Sequence, residues 1–289
     1  MQGLPRQDGK TIVITGANAG IGKVTALRLA EAGARVVIAG RSRERTAPVL
    51  EAINSMPGSQ APAFVQMDLT SLADVRRAAD ELLAICPAID VLIANAGLAG
   101  QRGATKDGFE LAFGVNHLGH YLFTRLLWER IAATEQSRVV LVASRAHFRA
   151  PGLDFEAVQQ TTRTTTAFPE YCTSKLCNVL FAAELRRRQA ARPSPHVPVM
   201  SLHPGVVATE IWRHIPGPLA WIAKQFMITE EQGARTTLYC ATSQDLGAEP
   251  ALYYDDCKAK RVSKLAQRED LARELWERSA AWVGLPDAL

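Results

Sequence analysis

The sequence predicts an α/β domain built on a doubly wound parallel sheet, and three observations predict it. Apolar, β-branched runs recur along the chain, helical patterns separate them, and the first run leads through a glycine-rich turn straight into a helix. Such runs read as strands buried on both faces, and strand–helix alternation with short connections gives parallel pairing. At 289 residues, 47% hydrophobic and 21% charged, the chain suits one large domain spanning residues 1–289 better than two small ones.

Thr11-Ile12-Val13-Ile14 is the first strand, and Val24, Leu27, Leu29 and Ala30 mark the first helix. Between them lies Thr15-Gly16-Ala17-Asn18-Ala19-Gly20-Ile21-Gly22, whose glycines let the backbone turn sharply and approach a pyrophosphate. The helix behind it offers unpaired N–H groups and its positive dipole end to that anion, so the unit reads as a dinucleotide site. Its Gly-x3-Gly-x-Gly spacing differs from the commoner Gly-x-Gly-x-x-Gly fingerprint. Arg35-Val36-Val37-Ile38-Ala39 is the second strand, followed by a helix over 43–56 that Pro57-Gly58 closes. The third strand is 63–66, with a helix over 71–86; the fourth is 89–93, with one long helix over 109–134; the fifth is 138–142, with a helix over 169–188. The sixth strand, 197–202, carries Pro198, which marks a strand start or an edge. A helix over 230–241, a short strand over 252–254 and an amphipathic helix over 268–282 complete the series.

Two segments break the rhythm. Residues 146–168 carry His147, Phe148, Phe155 and a threonine-rich run, and residues 206–228 carry Trp212, Trp221 and Phe226. Both follow strands, so both are expected to overhang the crevice outside the strands' carboxyl ends and to shape a substrate site there. The apolar stretch from Trp212 to Phe226 reads as a core helix, a substrate lid or a patch resting on a membrane surface.

The net charge is +4, but the basic residues are scattered, with short clusters at 186–188 and 258–264 that read as solvated faces rather than a nucleic-acid patch. Cys86, Cys172, Cys177, Cys240 and Cys257 form an odd set without paired or metal-ligand spacing, and the histidines show no ligand spacing. No metal is expected, and reduced thiols point to a reducing compartment. No run of about 18 apolar residues occurs, and residues 1–10 lack the apolar middle of a signal peptide, so a cytoplasmic protein is expected.

Tyr171 and Lys175 stand four residues apart, which puts them on one face of a helix. A fixed ammonium beside a tyrosine favours the phenolate and draws its pKa toward the working range, which makes an acid–base pair. Ser144, just past the fifth strand, is placed to point a hydroxyl into the crevice.

Together these residues resemble the short-chain dehydrogenase/reductase family, whose Rossmann-type fold the resemblance implies. The likeness runs through Thr15-Gly16-x3-Gly20-x-Gly22, Asp68-Leu69, Asn95-Ala96-Gly97, Asn116, Ser144, Tyr171-x3-Lys175 and Pro204-Gly205. The segment around Asn116, the Ser144-to-His147 sequence and the chain from Tyr254 onward look most like the retinol dehydrogenase branch, which acts on retinal and related lipophilic carbonyls with NADPH. The resemblance implies Tyr171 as proton donor and base, Lys175 on the ribose hydroxyls, Ser144 on the carbonyl, and Asn116 anchoring a relay water. It implies cofactor contacts from Gly16, Asn18, Ala19, Gly20, Ile21, Gly22, Asp68, Leu69, Asn95, Ala96, Gly97, Tyr171, Lys175, Pro204, Gly205, Val207 and Thr209. Ala94 departs from the family, which usually has a second asparagine there, and the gap from Ser144 to Tyr171 is long. The family often pairs its long helices, here 109–134 and 169–188, across a two-fold axis, which leaves a homodimer open, although their outward faces do not read as strongly apolar.

The second strand ends in Ala39-Gly40-Arg41 instead of the acid that binds a ribose 2'-hydroxyl. A guanidinium pairs with a 2'-phosphate and a carboxylate repels it, so Arg41 points to NADP(H). The expectation is an NADPH-dependent oxidoreductase of a lipophilic aldehyde, ketone or the matching alcohol. The rivals are a reductase of steroid, polyketide or small ketones, and a non-catalytic NADPH-binding regulatory protein.

Overall fold

The computed structural model describes residues 4–191, 196–205, 229–246 and 250–289. Val207, Thr209 and the whole of 206–228 lie outside them.

An eight-stranded sheet in the order β3-β2-β1-β4-β5-β6-β7-β8 forms the middle layer. Its strands are β1 (Thr11–Thr15), β2 (Arg35–Gly40), β3 (Ala63–Gln66), β4 (Val91–Ala94), β5 (Arg138–Val142), β6 (Val199–His203), β7 (Tyr253–Asp255) and β8 (Lys258–Ala259). The first seven run parallel, and β8 turns back antiparallel on β7. The order reverses between β1 and its neighbours β2 and β4, which puts the glycine turn at the topological switch point where such sheets bind ligands.

The helices are α1 (Gly20–Glu31), α2 (Arg43–Asn54), α3 (Leu72–Ile85), α4 (Leu111–Phe113), α5 (Gly119–Ala132), α6 (Phe168–Ala190), α7 (Glu230–Thr242) and α8 (Glu269–Trp282). Alternate strand residues feed two separate cores. Ile12, Ile14, Val36 and Ile38 pack with Val24, Leu29, Val49 and Leu238 of α1, α2 and α7. Val13, Val37 and Leu92 pack on the other face with residues of α3, α5, α6 and α8. Burial of both faces is why the strands read as unbroken apolar runs.

Two expectations need correction. The long helix over 109–134 starts at Leu111 and is interrupted by a π-helical turn, Gly114–Leu118, in which Gly119 N–H donates to Gly114 O. The segment 146–168 overhangs the crevice only at its start. Further on, the Val158 carbonyl accepts from Glu110 N–H at 2.8 Å, the Thr162 hydroxyl donates to Glu110 Oε1 at 2.6 Å, and Phe155 packs against Trp282 of α8, so this part runs over the helix layer. There it bounds a cavity of about 410 Å³ with Phe113, Leu153, Val158, Arg163 and Glu170, and none of Ser144, Tyr171 or Lys175 lines it.

The chain's own C-terminal helix α8 packs against α5 and α6. Tyr121 and Phe181 meet Trp276 with ring centroids 5.1 and 5.8 Å apart, and His117 Nε2 lies 3.2 Å from Ser279 Oγ. Beyond α8, Arg125 donates to the carbonyls of Pro286 and Ala288, and Arg188 and the Trp276 indole both donate to that of Asp287.

Candidate active site

The glycine turn leaves room and donors for an anion. Gly16 and Gly20 have φ of +68° and +59°, and a Cβ on Gly16 would stand 2.8 Å from the Ala96 Cβ. On Gly22 it would meet Asn95 Nδ2 at 2.5 Å and Gly16 O at 2.6 Å, so α1 packs too tightly here for any side chain. Asn18 and Ala19 are exposed at the tip. Ala19 caps α1 without any side-chain hydrogen bond, and the first turn holds no acid, which leaves first-turn N–H groups to a ligand's phosphates. The residues present thus fit a dinucleotide.

Asn95 braces this turn from behind, its Nδ2 donating to Thr15 O at 2.8 Å and Gly16 O at 3.3 Å. The Thr15 hydroxyl accepts from Asn95 N–H and Ala96 N–H, both at 2.9 Å, and lies 2.9 Å from His120 Nε2. His120 Nδ1 faces Asn116 O at 3.1 Å. A carbonyl only accepts, so Nδ1 carries the proton, Nε2 is the acceptor, and Thr15 donates to it. Burial, the largest influence, lowers His120 to about 4 and keeps it neutral.

The π-helical turn aims the Asn116 side chain across to β4. Its Oδ1 accepts from Leu98 N–H at 2.9 Å, and its Nδ2 donates to Leu98 O at 3.0 Å and Ser174 Oγ at 2.9 Å. Gly97 passes so close that a Cβ there would stand 3.1 Å from Asn116 Oδ1 and 3.5 Å from Lys175 Nζ. One-residue insertions of this kind often sit at functional sites.

Ser144 follows β5 by two residues and caps a short 3₁₀ turn, its hydroxyl accepting from Ala146 N–H at 3.1 Å and acting on the nearby Tyr171 phenol. His147 supports it from below: its Nδ1 donates to Ser144 O at 2.6 Å and its Nε2 accepts from Ser263 N–H at 3.2 Å. Tyr171 and Lys175 occupy one face of α6. The Lys175 ammonium donates to Val142 O at 2.9 Å and lies 5.8 Å from the centre of the Tyr171 ring. Burial lowers Lys175 to about 8. Burial also raises Tyr171, against the opposing influence of Ser144, so the depression expected from Lys175 is absent and the phenol holds its proton at neutral pH.

Arg41 stands at the end of β2, exposed and without a side-chain partner among the described residues, while Arg43 stacks 4.9 Å above the Phe64 ring. Asp68 Oδ1 accepts from Thr70 N–H at 3.0 Å and Oδ2 pairs with Lys106 at 3.0 Å. Burial opposes its charge, but the Thr70 and Lys106 hydrogen bonds prevail and hold the carboxyl below its usual value. Leu69 is buried against Gly119, and Pro204 and Gly205 close β6 on the same side of the sheet.

The structure therefore brings Asn116, Ser144, Tyr171 and Lys175 to one end of the sheet beside the glycine turn. His120 and His147 were missed as supports, because a histidine in an apolar pattern carries no sign of what its ring nitrogens meet. His147 follows Ser144 by three residues in a turn, and that spacing was the available clue.

A glycine turn at the switch point, with a serine, tyrosine and lysine across the crevice, defines an oxidoreductase of the class that binds a nicotinamide dinucleotide. Residues 10–217 match the family described as short chain dehydrogenase. The chain belongs to that family, in its retinol dehydrogenase-like branch. It is 40% identical to human retinol dehydrogenase 11, over 96% of this chain and 87% of that one. It is 37% identical to human retinol dehydrogenase 13, over 96% and 85%. An uncharacterised protein of Mycobacterium paratuberculosis superposes with a TM-score of 0.76 at 32% identity, covering 99% of this chain and 97% of that one. A short chain dehydrogenase from Escherichia coli CFT073, solved in complex with NADPH, shares the fold with a TM-score of 0.67 at 20% identity, over 89% and 99%.

Proposed function

We propose that the protein transfers hydride between NADPH and a lipophilic aldehyde or ketone, retinal-like in class, or the corresponding alcohol. The observation that carries this reading is the Tyr171 phenol near Ser144, one helical turn from Lys175, at the end of the sheet where the glycine turn lies.

The nicotinamide, when bound, supplies hydride in reduction and accepts it in oxidation. Ser144 orients the substrate oxygen, and Tyr171 gives it the phenolic proton in reduction and takes that proton back in oxidation. A raised phenol pKa suits the donor role. Lys175 holds the ribose hydroxyls and passes a proton onward. Asn116 O keeps one lone pair free of His120 for the water that relays it. The glycine turn, Asp68, Leu69, Asn95 to Gly97, and Pro204, Gly205, Val207 and Thr209 line the cofactor. Arg41, exposed and without a side-chain partner among the described residues, pairs with the 2'-phosphate. The names of the relatives support a retinal-like substrate. The described cysteines are all free, which suits a reducing compartment, and we place the protein in the cytoplasm.

The test follows NADPH consumption against retinal, long-chain aldehydes, steroids and small ketones, with Tyr171→Phe as control. Turnover of a lipophilic carbonyl that falls by about 10²–10⁴ in the variant, with NADPH affinity kept, supports the reading. Preference for a steroid or small ketone moves it to another carbonyl class. Tight NADPH binding with no turnover on any of them makes the protein a binder.

A further inference from the structure

A second cavity, of about 380 Å³, lies beyond Ser144 and is lined by Arg145, Phe148, Arg149, Tyr253, Asp255, Lys260 and Arg261. Four cations thus surround one carboxylate. That carboxylate is committed, since Asp255 accepts from Arg145 Nε at 2.5 Å and Nη2 at 3.1 Å. Arg149, Lys260 and Arg261 have no acidic partner among the described residues, and all three are exposed. Like charges gathered around one concavity repel each other, and an anion relieves that repulsion while its field draws the anion in.

Tyr253, 1% exposed, lines the same wall, and its buried hydroxyl has no hydrogen-bond partner among the described residues.

Ser144, Tyr171 and Lys175 do not line the cavity, and its link to them runs through their neighbours. Arg145 directly follows Ser144, and the Tyr253 ring centre lies 4.9 Å from that of His147, which holds the Ser144 carbonyl. Phe148, 54% exposed, adds an apolar surface beside the cations, which is the combination an amphiphile needs. The run over 258–264, which reads in the sequence as a solvated face, thereby acquires a partner.

We propose that this cavity takes a carboxylate or phosphate carried by the substrate itself, so that the protein prefers carbonyl compounds with an anionic group over their neutral counterparts. The proposal rests on the reductase reading above and names its substrate class more closely.

The experiment compares an ω-oxo fatty acid with its methyl ester, in wild type and in the double variant Arg149→Gln/Arg261→Gln. Neither arginine touches the reacting groups, and both are exposed, so the variant retains the fold and its turnover of the ester. Wild type is expected to show a KM for the acid roughly tenfold below that for the ester with similar kcat, a gap that closes in the variant and shrinks as salt is added. Equal KM values in wild type, or a preference that survives in the variant, overturn the proposal while ester turnover leaves the reductase reading standing. If neither compound turns over, that reading fails, and calorimetric titration of the acid into NADP⁺-loaded protein decides the anion site separately. Salt-sensitive binding lost in the variant supports the site, and no binding overturns it.

Discussion

Thr15 and Tyr253 both carry buried hydroxyls on strands of the same sheet, and their circumstances are opposite. Thr15 uses everything it has: two N–H groups donate to it, and its own proton goes to His120. Tyr253 uses nothing, and His203 on the neighbouring strand likewise leaves both ring nitrogens buried and unpaired among the described residues. Leaving one such group without a partner costs about 1–3 kcal/mol. The Thr15 end of β1 is closed by its own hydrogen bonds, as suits a brace behind the glycine turn. The ends of β6 and β7 keep buried polar capacity unspent among the described residues, which a ligand or the adjoining chain can use.

The largest expected effect comes from acid. Burial lowers His117 to about 3, and both His120 and His203 to about 4, so each is neutral when folded and ready to take a proton once unfolded. Their stability contribution is complete above the ordinary histidine value and is lost as pH falls from about 6.5 toward 4, at about 1.4 kcal/mol per pH unit for each group. Urea unfolding at pH 7, 6 and 5 measures this slope. His203→Gln should reduce it by one group's share; an unchanged slope would mean that the end of β6 is wet and that His203 titrates as it would in water.

Next in size is Thr15→Val, which strands two N–H groups and the His120 acceptor. It should lower stability by about 1–3 kcal/mol per group left unpaired and weaken NADPH binding, both readable from thermal melts with and without NADPH. Tyr253→Phe should change the melt of the free protein by far less, and equal losses would erase the contrast. Smallest is Arg41→Asp, which touches neither network. It should weaken NADPH relative to NADH by about tenfold while stability holds, as measured by fluorescence titration; an unchanged ratio would remove Arg41 from cofactor choice.

The strands and the glycine turn were legible because burial on both faces forces unbroken β-branched runs, and because only glycine fits where Ala96 and Asn95 crowd the turn. Tyr171, Lys175, Ser144 and Asn116 were legible through their order along the chain. The π-helical turn was not, since Gly114 to Leu118 has no composition that separates five-residue from four-residue hydrogen bonding. Nor was β8, two exposed residues too short to show a period. The raised Tyr171 pKa was misread because helical spacing gives the Tyr171–Lys175 proximity but not the burial around the phenol, nor the Val142 carbonyl that holds the ammonium.

The clasp made by the chain end also bears on how the protein is made. Arg125 and Arg188 reach carbonyls 161, 163 and 99 residues further along, and Trp276 of α8 covers Tyr121 and Phe181, so the outer side of α5 and α6 stays uncovered until α8 has been made. The first strands and the glycine turn can assemble before this helix layer is covered. A nascent chain stalled before α8 would present Tyr121 and Phe181 to its surroundings, which makes the docking of α8 a step exposed to aggregation.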